Sequence, residues 1–439
     1  MDSSTIVEGL LYAIPALVTA LLGYVIVEAV KGTVSGTEAR KRQKCQRYVA
    51  IAQQAVDRAE LIPFLKWQYK HQPFLERAGF TYPVAIYPAP AQQKTKLASV
   101  LTLPLNKEPL PESEFIVKNA THLDILKYLD IFTLPPTVNT DTYVMHQLRA
   151  DQGELRLDGG VGKYFDTHLT SESLEWELRS KSHLLKGTTE QDFHKFFQRL
   201  PLRKTLHAKV SNPVLDGTGR SNALGISTLI AYKDKNRDAY QLLTRRRAKK
   251  GVPLRSGLLH VVPGFMFQPT TTILGIEYEY DIRYNVLREY LEELFSVEEN
   301  LSNDHPDIIY SDCRLQYLLQ LFEQGKAALY FTGVAVNLLN LRPEICTLLV
   351  ISSPEWYEKC THDPAHYWKF NKEFQRINDD VRPKEYIGAF SLSTDEAMIE
   401  TASLYPNRTV PVGAAAFWLG VDTLRELQQK PSSTLLHQT

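Results

Sequence analysis

Cysteine is scarce: 439 residues hold four, Cys45, Cys313, Cys346 and Cys360. None forms a CxxC pair and none stands at zinc spacing from a histidine. A disulfide framework and a Cys/His zinc site are therefore excluded, and the thiols read as buried or free groups in a reducing compartment. Net charge is missing as well, because 50 basic side chains balance 50 acidic ones. Phosphate-backbone affinity needs a basic excess, so general nucleic-acid binding drops out of the function classes. There is no internal repeat, no low-complexity tract and no GxSxG. LDGGVGKYFD (157–166) lacks full P-loop spacing and a following Ser/Thr, so it reads as a turn between elements. His183, His194 and His207 are scattered through helix-like sequence and define no metal site. What the chain does have is apolar residues, 44% of the total, enough for a sizeable core.

Long hydrophobic runs are absent except at one place. Gly9 to Val27, GLLYAIPALVTALLGYVIV, is 19 residues without a charge, the length that spans about 30 Å of hydrocarbon as a helix. Tyr12 and Tyr24 near its ends suit the headgroup level. No Lys or Arg precedes the run, against a secretory signal. Lys31, Arg40, Lys41, Arg42, Lys44 and Arg47 follow it against the single acid Glu38. That asymmetry predicts an inner-membrane, single-pass protein with its C-terminal bulk cytoplasmic, the bilayer as a partner and the span as a surface for homo-oligomers. Val410 to Gly420 is a second uncharged run, too short to cross.

Beyond the anchor (1–31), a connecting region (32–135) reads as mostly helix over 38–80, then extended segments and turns where Pro83, Pro88, Pro90, Pro104, Pro109 and Pro111 recur. Residues 136–219 extend the main domain, 220–430 form it, and 431–439 are a tail. Within 220–430, NALGISTLIAY and AYQLLTRRR flank the turn DKNRD as a hairpin. LLHVVPGFMF is a third strand candidate punctuated by Pro263-Gly264. Helices follow over 281–297 and through RLQYLLQLFEQ, then strands ALYFTGVAVNLL and ICTLLVIS, and a C-terminal helix near 411–429. Strands and helices mixed in this order predict an α/β layer structure.

DIRYNVLREYLEELF (281–295) carries the chemistry. On a helix Glu289, Glu292 and Glu293 stand at i, i+3 and i+4 and share a face, with Leu287, Tyr290, Leu291 and Leu294 opposite. Mutual repulsion of three carboxylates would be relieved by a hard divalent cation, Mg²⁺ or Mn²⁺, which takes oxygen ligands and keeps waters for a phosphate. Arg288 could hold one carboxylate through a bidentate pair. On these residues alone an ordinary solvated acidic face is the commoner outcome.

The string Arg288-Glu289…Glu292-Glu293, preceded by the basic strand LLTRRR and the turn HVVPGF, resembles the Nudix box, and its surroundings resemble the Nudix superfamily over about 220–428. The resemblance implies a Nudix-like α/β/α sandwich with mixed sheet behind the transmembrane helix and connecting region. It implies Glu289, Glu292 and Glu293 as metal ligands and catalytic groups, with Arg288 orienting them. Arg245, Arg246 and Gly264 would contact the ligand, and Arg247, Lys249 and Lys250 continue the basic run. The chain departs from the box in three ways: 23 residues separate Gly264 from Arg288, Tyr280 stands at the usual acid, and Phe295 replaces the closing glycine. Glu279 and Asp281 are the candidate substitutes for the acid. An anchor before such a domain is similar to transmembrane–Nudix effectors of bacterial cyclic-oligonucleotide antiphage systems. The resemblance therefore implies a membrane effector that binds a nucleotide signal, with a metal-dependent hydrolase of nucleoside diphosphate derivatives, or a tethered scaffold, as the alternatives.

Overall fold

The computed structural model describes residues 43, 58–123, 139–151, 153–185, 187–246, 258–270, 275–295, 297, 305–362 and 386–429. Helix α1 (Arg58–Gln68) leads into strands β1 (Phe74–Arg77) and β2 (Phe80–Pro88), so the end of the stretch expected as helix is strand. A two-stranded sheet follows, β3 (Asp141–Asp151) with β4 (Glu154–Lys163), then four helices: α2 (Tyr164–Leu169), α3 (Ser171–Lys181), α4 (Glu190–Phe197) and α5 (Pro201–Lys209). Next come β5 (Gly225–Asp234), β6 (Arg237–Arg246), β7 (Leu259–Val261), β8 (Gly264–Met266), α6 (Ile282–Phe295) and α7 (Cys313–Glu323). The chain closes with β9 (Ala327–Asn337), β10 (Pro343–Ile351), α8 (Glu355–His362), β11 (Tyr386–Ser391), α9 (Asp395–Ala402) and α10 (Pro411–Gln429).

Nine strands form one mixed sheet ordered β1-β2-β9-β10-β5-β6-β11, with β7 added to β6 and β8 to β5. Its centre is the parallel pair β5/β10, in which Ile226 faces Ile345 and Ile230 faces Leu349. Strand alternation then assigns the faces. Leu229 and Ala231 of β5, with Cys346 and Leu348 of β10, join the apolar side of α10. Ile230, Tyr232, Leu349 and Ile351 point the other way, onto Leu287, Tyr290, Leu291 and Leu294 of α6 and onto α7. Farther along that second face Ile226 and Ile345 meet a larger core built by β3, β4 and α1, α3, α4 and α5. Helices thus cover both sides of the sheet.

Several buried carboxylates are paired within the fold. Glu177 of α3 accepts from the backbone N–H groups of Leu202 (2.7 Å) and Arg203 (3.1 Å), doing for the first turn of α5 what an N-cap side chain does. Glu175 pairs with Arg179 at 2.6 Å one turn on, and Glu172 with Arg342 at 2.8 Å.

Two further expectations are corrected. LDGGVGKYFD is not a turn: 157–163 lie in β4, paired to β3 from Asp141 to Asp151. The glycines suit close packing in a strand, since a Cβ at Gly159 would overlap the Tyr280 hydroxyl. The second correction concerns the membrane. No helix among the described residues is long and apolar enough to cross one. The most apolar long helix, α10, carries Asp422, Arg425 and Glu426, and its apolar side is core against the sheet. Gly9–Val27 itself lies outside the described residues. The fold class with a transmembrane helix and the single-pass, inner-membrane localisation are accordingly not supported and are not carried further.

Candidate functional site at the acidic end of α6

Helix α6 begins where Asp281 accepts a 2.6 Å hydrogen bond from the Tyr284 N–H, a side-chain cap on the first turn. Its apolar stripe is buried against β5, β6 and β10, which leaves the carboxylates along one side. Arg288 is 2% exposed, and its Nη2 donates to Glu289 Oε1 at 2.9 Å. Glu289 is buried beside it, whereas Glu292 and Glu293 are half-buried.

Glu292 and Glu293 occupy the last turn, which contains no basic residue. A helix C-terminus already carries a partial negative charge, so acids there are placed against the dipole. Two groups from outside the helix offset this. Arg245 Nη2, from β6, donates to Glu293 Oε1 at 2.6 Å, and the Gly264 N–H, opening β8, donates to Glu293 Oε2 at 2.9 Å. Charge-assisted bonds of this kind are about twice as strong as neutral ones. Glu293 therefore braces helix, strand and Pro-Gly turn together. Gly264 has a steric reason to be glycine too, because a Cβ would press into the His260 ring beneath it.

The structure thus brings Arg245, Gly264 and Glu293 into one cluster and places the Arg288–Glu289 pair one turn earlier on the same helix. Arg246 is the next residue of β6 and faces the opposite side of the strand. Arg247, Lys249 and Lys250 lie outside the described residues.

Of the two candidates for the acid, Glu279 is closed off and Asp281 is exposed but serves as a helix cap. Glu279 is fully buried, and its Oε2 accepts from the Thr270 N–H (2.9 Å) and hydroxyl (2.7 Å). Asp281 is the cap just described. Tyr280, where the Nudix resemblance expects an acid, is a core residue stacked on Phe267 at 5.4 Å, and its buried hydroxyl has no hydrogen-bond partner. Phe295, where the box closes on glycine, packs on Tyr290 and carries the Arg314 guanidinium over its ring at 5.4 Å.

A three-carboxylate metal centre does not fit this arrangement. Among the described residues no three His, Cys, Asp or Glu side chains converge as an ion site. Both Glu293 oxygens already accept hydrogen bonds. At the end of α6, Glu292 is half-buried beside the braced Glu293, and Glu289 is buried against Arg288.

Sequence reading passed over a second constellation. His194 and His207 share the wall of a cavity with Trp67 and Phe197. The signal was present in FHKFF, where Phe193 and Phe197 stand one helical turn apart.

Compared with known proteins, the chain matches no family model and no curated protein.

Proposed function

We propose that the chain is a Nudix-like protein that binds a phosphate-bearing nucleotide at the acidic end of α6, the phosphates bringing a divalent cation with them. The observation that carries this reading is the braced acidic helix end. Glu292 and Glu293 sit against the helix dipole, and Glu293 is held there by Arg245 and Gly264. Such an end repels a bare phosphate and attracts one already complexed by Mg²⁺ or Mn²⁺, cations that take one or two carboxylates and fill their remaining positions with water and phosphate oxygens. The order of β6, the Pro263–Gly264 turn and α6 supports the Nudix-like part of the reading.

Recognition is favoured over turnover by a specific feature. Hydrolysis asks for a carboxylate able to take a proton from water within reach of the phosphates. Both oxygens of Glu293 are engaged by neighbouring donors, Glu279 is fully buried with Oε2 bonded to Thr270, and Asp281 caps the helix through Oδ1. A nucleotide signal such as a cyclic dinucleotide is therefore the preferred ligand, and a nucleoside diphosphate derivative the alternative.

The test is a thermal-shift panel on the full chain with cyclic di-AMP, ADP and ADP-ribose, each with Mg²⁺ or EDTA, with mass spectrometry of the mixtures afterwards. Stabilisation that needs Mg²⁺, leaves the nucleotide intact and disappears in the Glu289→Gln/Glu292→Gln variant is the expected result. Stabilisation unaffected by EDTA and by that variant contradicts the site. Metal-dependent cleavage moves the reading to a hydrolase.

A further inference from the structure

A cavity of about 760 Å³ opens between α1, α4 and α5, well away in sequence from the α6 carboxylates. That volume lies in the range of small-molecule sites, which pair apolar walls with a few placed polar groups. The apolar wall is a run of neighbouring rings. Trp67 meets His194 edge-on at 4.9 Å and Phe197 at 6.2 Å, and Phe197 meets His207 edge-on at 5.8 Å. His207, half-buried on α5, ends that run within the cavity lining.

The hydrogen bonds behind His207 fix which of its nitrogens donates. Arg203 is fully buried and donates from Nη1 to the Tyr69 hydroxyl at 2.7 Å, and that hydroxyl lies 3.3 Å from His207 Nε2. Gln68 Nε2 reaches the same ring nitrogen at 2.9 Å. An amide N–H and a hydroxyl that already accepts from a guanidinium both donate to His207 Nε2, which puts the ring proton on Nδ1. Nδ1 has no hydrogen-bond partner among the described residues and stays accessible.

Two buried cations lie behind this donor. Arg203 rests on the carbonyls of Leu338 and Leu339, and Arg220, 3% exposed, on the Pro213 carbonyl at 2.5 Å. Neither forms an ion pair among the described residues, and the buried Glu177 holds the Leu202 and Arg203 backbone N–H groups instead. Charges buried in this way are weakly screened. Their field reaches His207, whose pKa is pushed down to about 4 by burial and then by Arg203 and Arg220. A field that keeps a proton off the ring favours an anion beside it. Lys70 and Glu190, by contrast, are exposed on the rim, where solvent screens both.

We propose that this cavity binds a small aromatic carboxylate, its carboxylate on the His207 Nδ1–H and its ring along Phe197 and Trp67. The steps of 5.8 and 6.2 Å from His207 to Phe197 to Trp67 suit a carboxylate one or two bonds from a flat ring. The site uses neither phosphate nor divalent cation, so it stands or falls apart from the α6 reading.

Calorimetric titration of the full chain with phenylacetate in EDTA tests it, with phenylacetamide as the uncharged match. Saturable binding of phenylacetate is expected, at least about tenfold tighter than the amide, the worth of one charge-assisted hydrogen bond. His207→Phe keeps a ring and removes the donor, and should weaken phenylacetate binding by a similar factor. Lys70→Ala should change it by less than about twofold, because the rim charge is screened. If thermal melting shows that His207→Phe does not fold, the ratio of phenylacetate to amide and the Lys70→Ala result decide alone. Absence of saturable binding overturns the proposal, as does equal affinity for the amide or an affinity that follows Lys70 and not His207.

Discussion

Glu293 and Arg245 illustrate how one side chain can carry two duties in this fold. The pair is 13% and 17% exposed and ties α6 to β6, while Gly264 ties the same carboxylate to β8. Arg245→Met should destabilise the protein by about 2 kcal/mol, because it strands a half-buried carboxylate at a negative helix end. Urea unfolding measures this, and a change below about 0.5 kcal/mol would mean that the brace contributes little. Tyr280 predicts the opposite sign. Its hydroxyl is buried without a partner, so Tyr280→Phe should be neutral or stabilising by up to about 1 kcal/mol. A clear loss of stability would reveal a hydrogen bond to that hydroxyl. Histidines set a pH dependence. Burial, with His168 adding to it, pushes His122 down to about 3 despite the opposing pull of Glu172 and Glu175, and His207 is pushed down to about 4. Below the unfolded value of about 6.5 the unfolded chain takes up protons that the native fold refuses. Stability should therefore fall as pH drops from about 6.5 toward 4, by at most about 1.4 kcal/mol per pH unit for each histidine. Unfolding free energies at pH 7.5, 6 and 5 check the slope, and His122→Asn should flatten it.

At the scale of elements, Gly159 is the sharpest prediction. Gly159→Ala places a methyl group against the buried Tyr280 ring and should cost about 2 kcal/mol; combining it with Tyr280→Phe should recover part of that loss in a double-mutant cycle. Additive costs would show that the two do not meet. The same strand shows what the sequence made legible. The β5/β6 hairpin, α6 and α10 stand where alternation, a polar turn and helical periodicity put them. β4 was hidden because its glycines resemble turn punctuation, and what explains them is packing: Tyr280, more than a hundred residues on, against Gly159, His146 against Gly160, and Val144 against Gly162. β1 was hidden because Phe74–Arg77 is four residues long and follows a helix directly. The acidic side of α6 could be read from spacing alone. Its brace could not, since the Arg245–Glu293 and Gly264–Glu293 bonds join residues 48 and 29 apart.

For the whole molecule, an even charge balance means that anionic ligands must be met by local arrangement and not by a general field. In the proposed reading the α6 end answers that requirement with a cation carried by the ligand. Loss of the transmembrane expectation also changes the functional weighting. A membrane response no longer argues for sensing, and that preference now rests on Glu293, both of whose oxygens are engaged, and on the burial of Glu279. The most direct measurement is a calorimetric titration of the full chain with ADP or cyclic di-AMP, in Mg²⁺ and again in EDTA. The account predicts saturable binding in Mg²⁺ that weakens at least tenfold in EDTA and in Glu289→Gln/Glu292→Gln. Binding of equal strength in all three conditions, or no binding of either nucleotide, would contradict it.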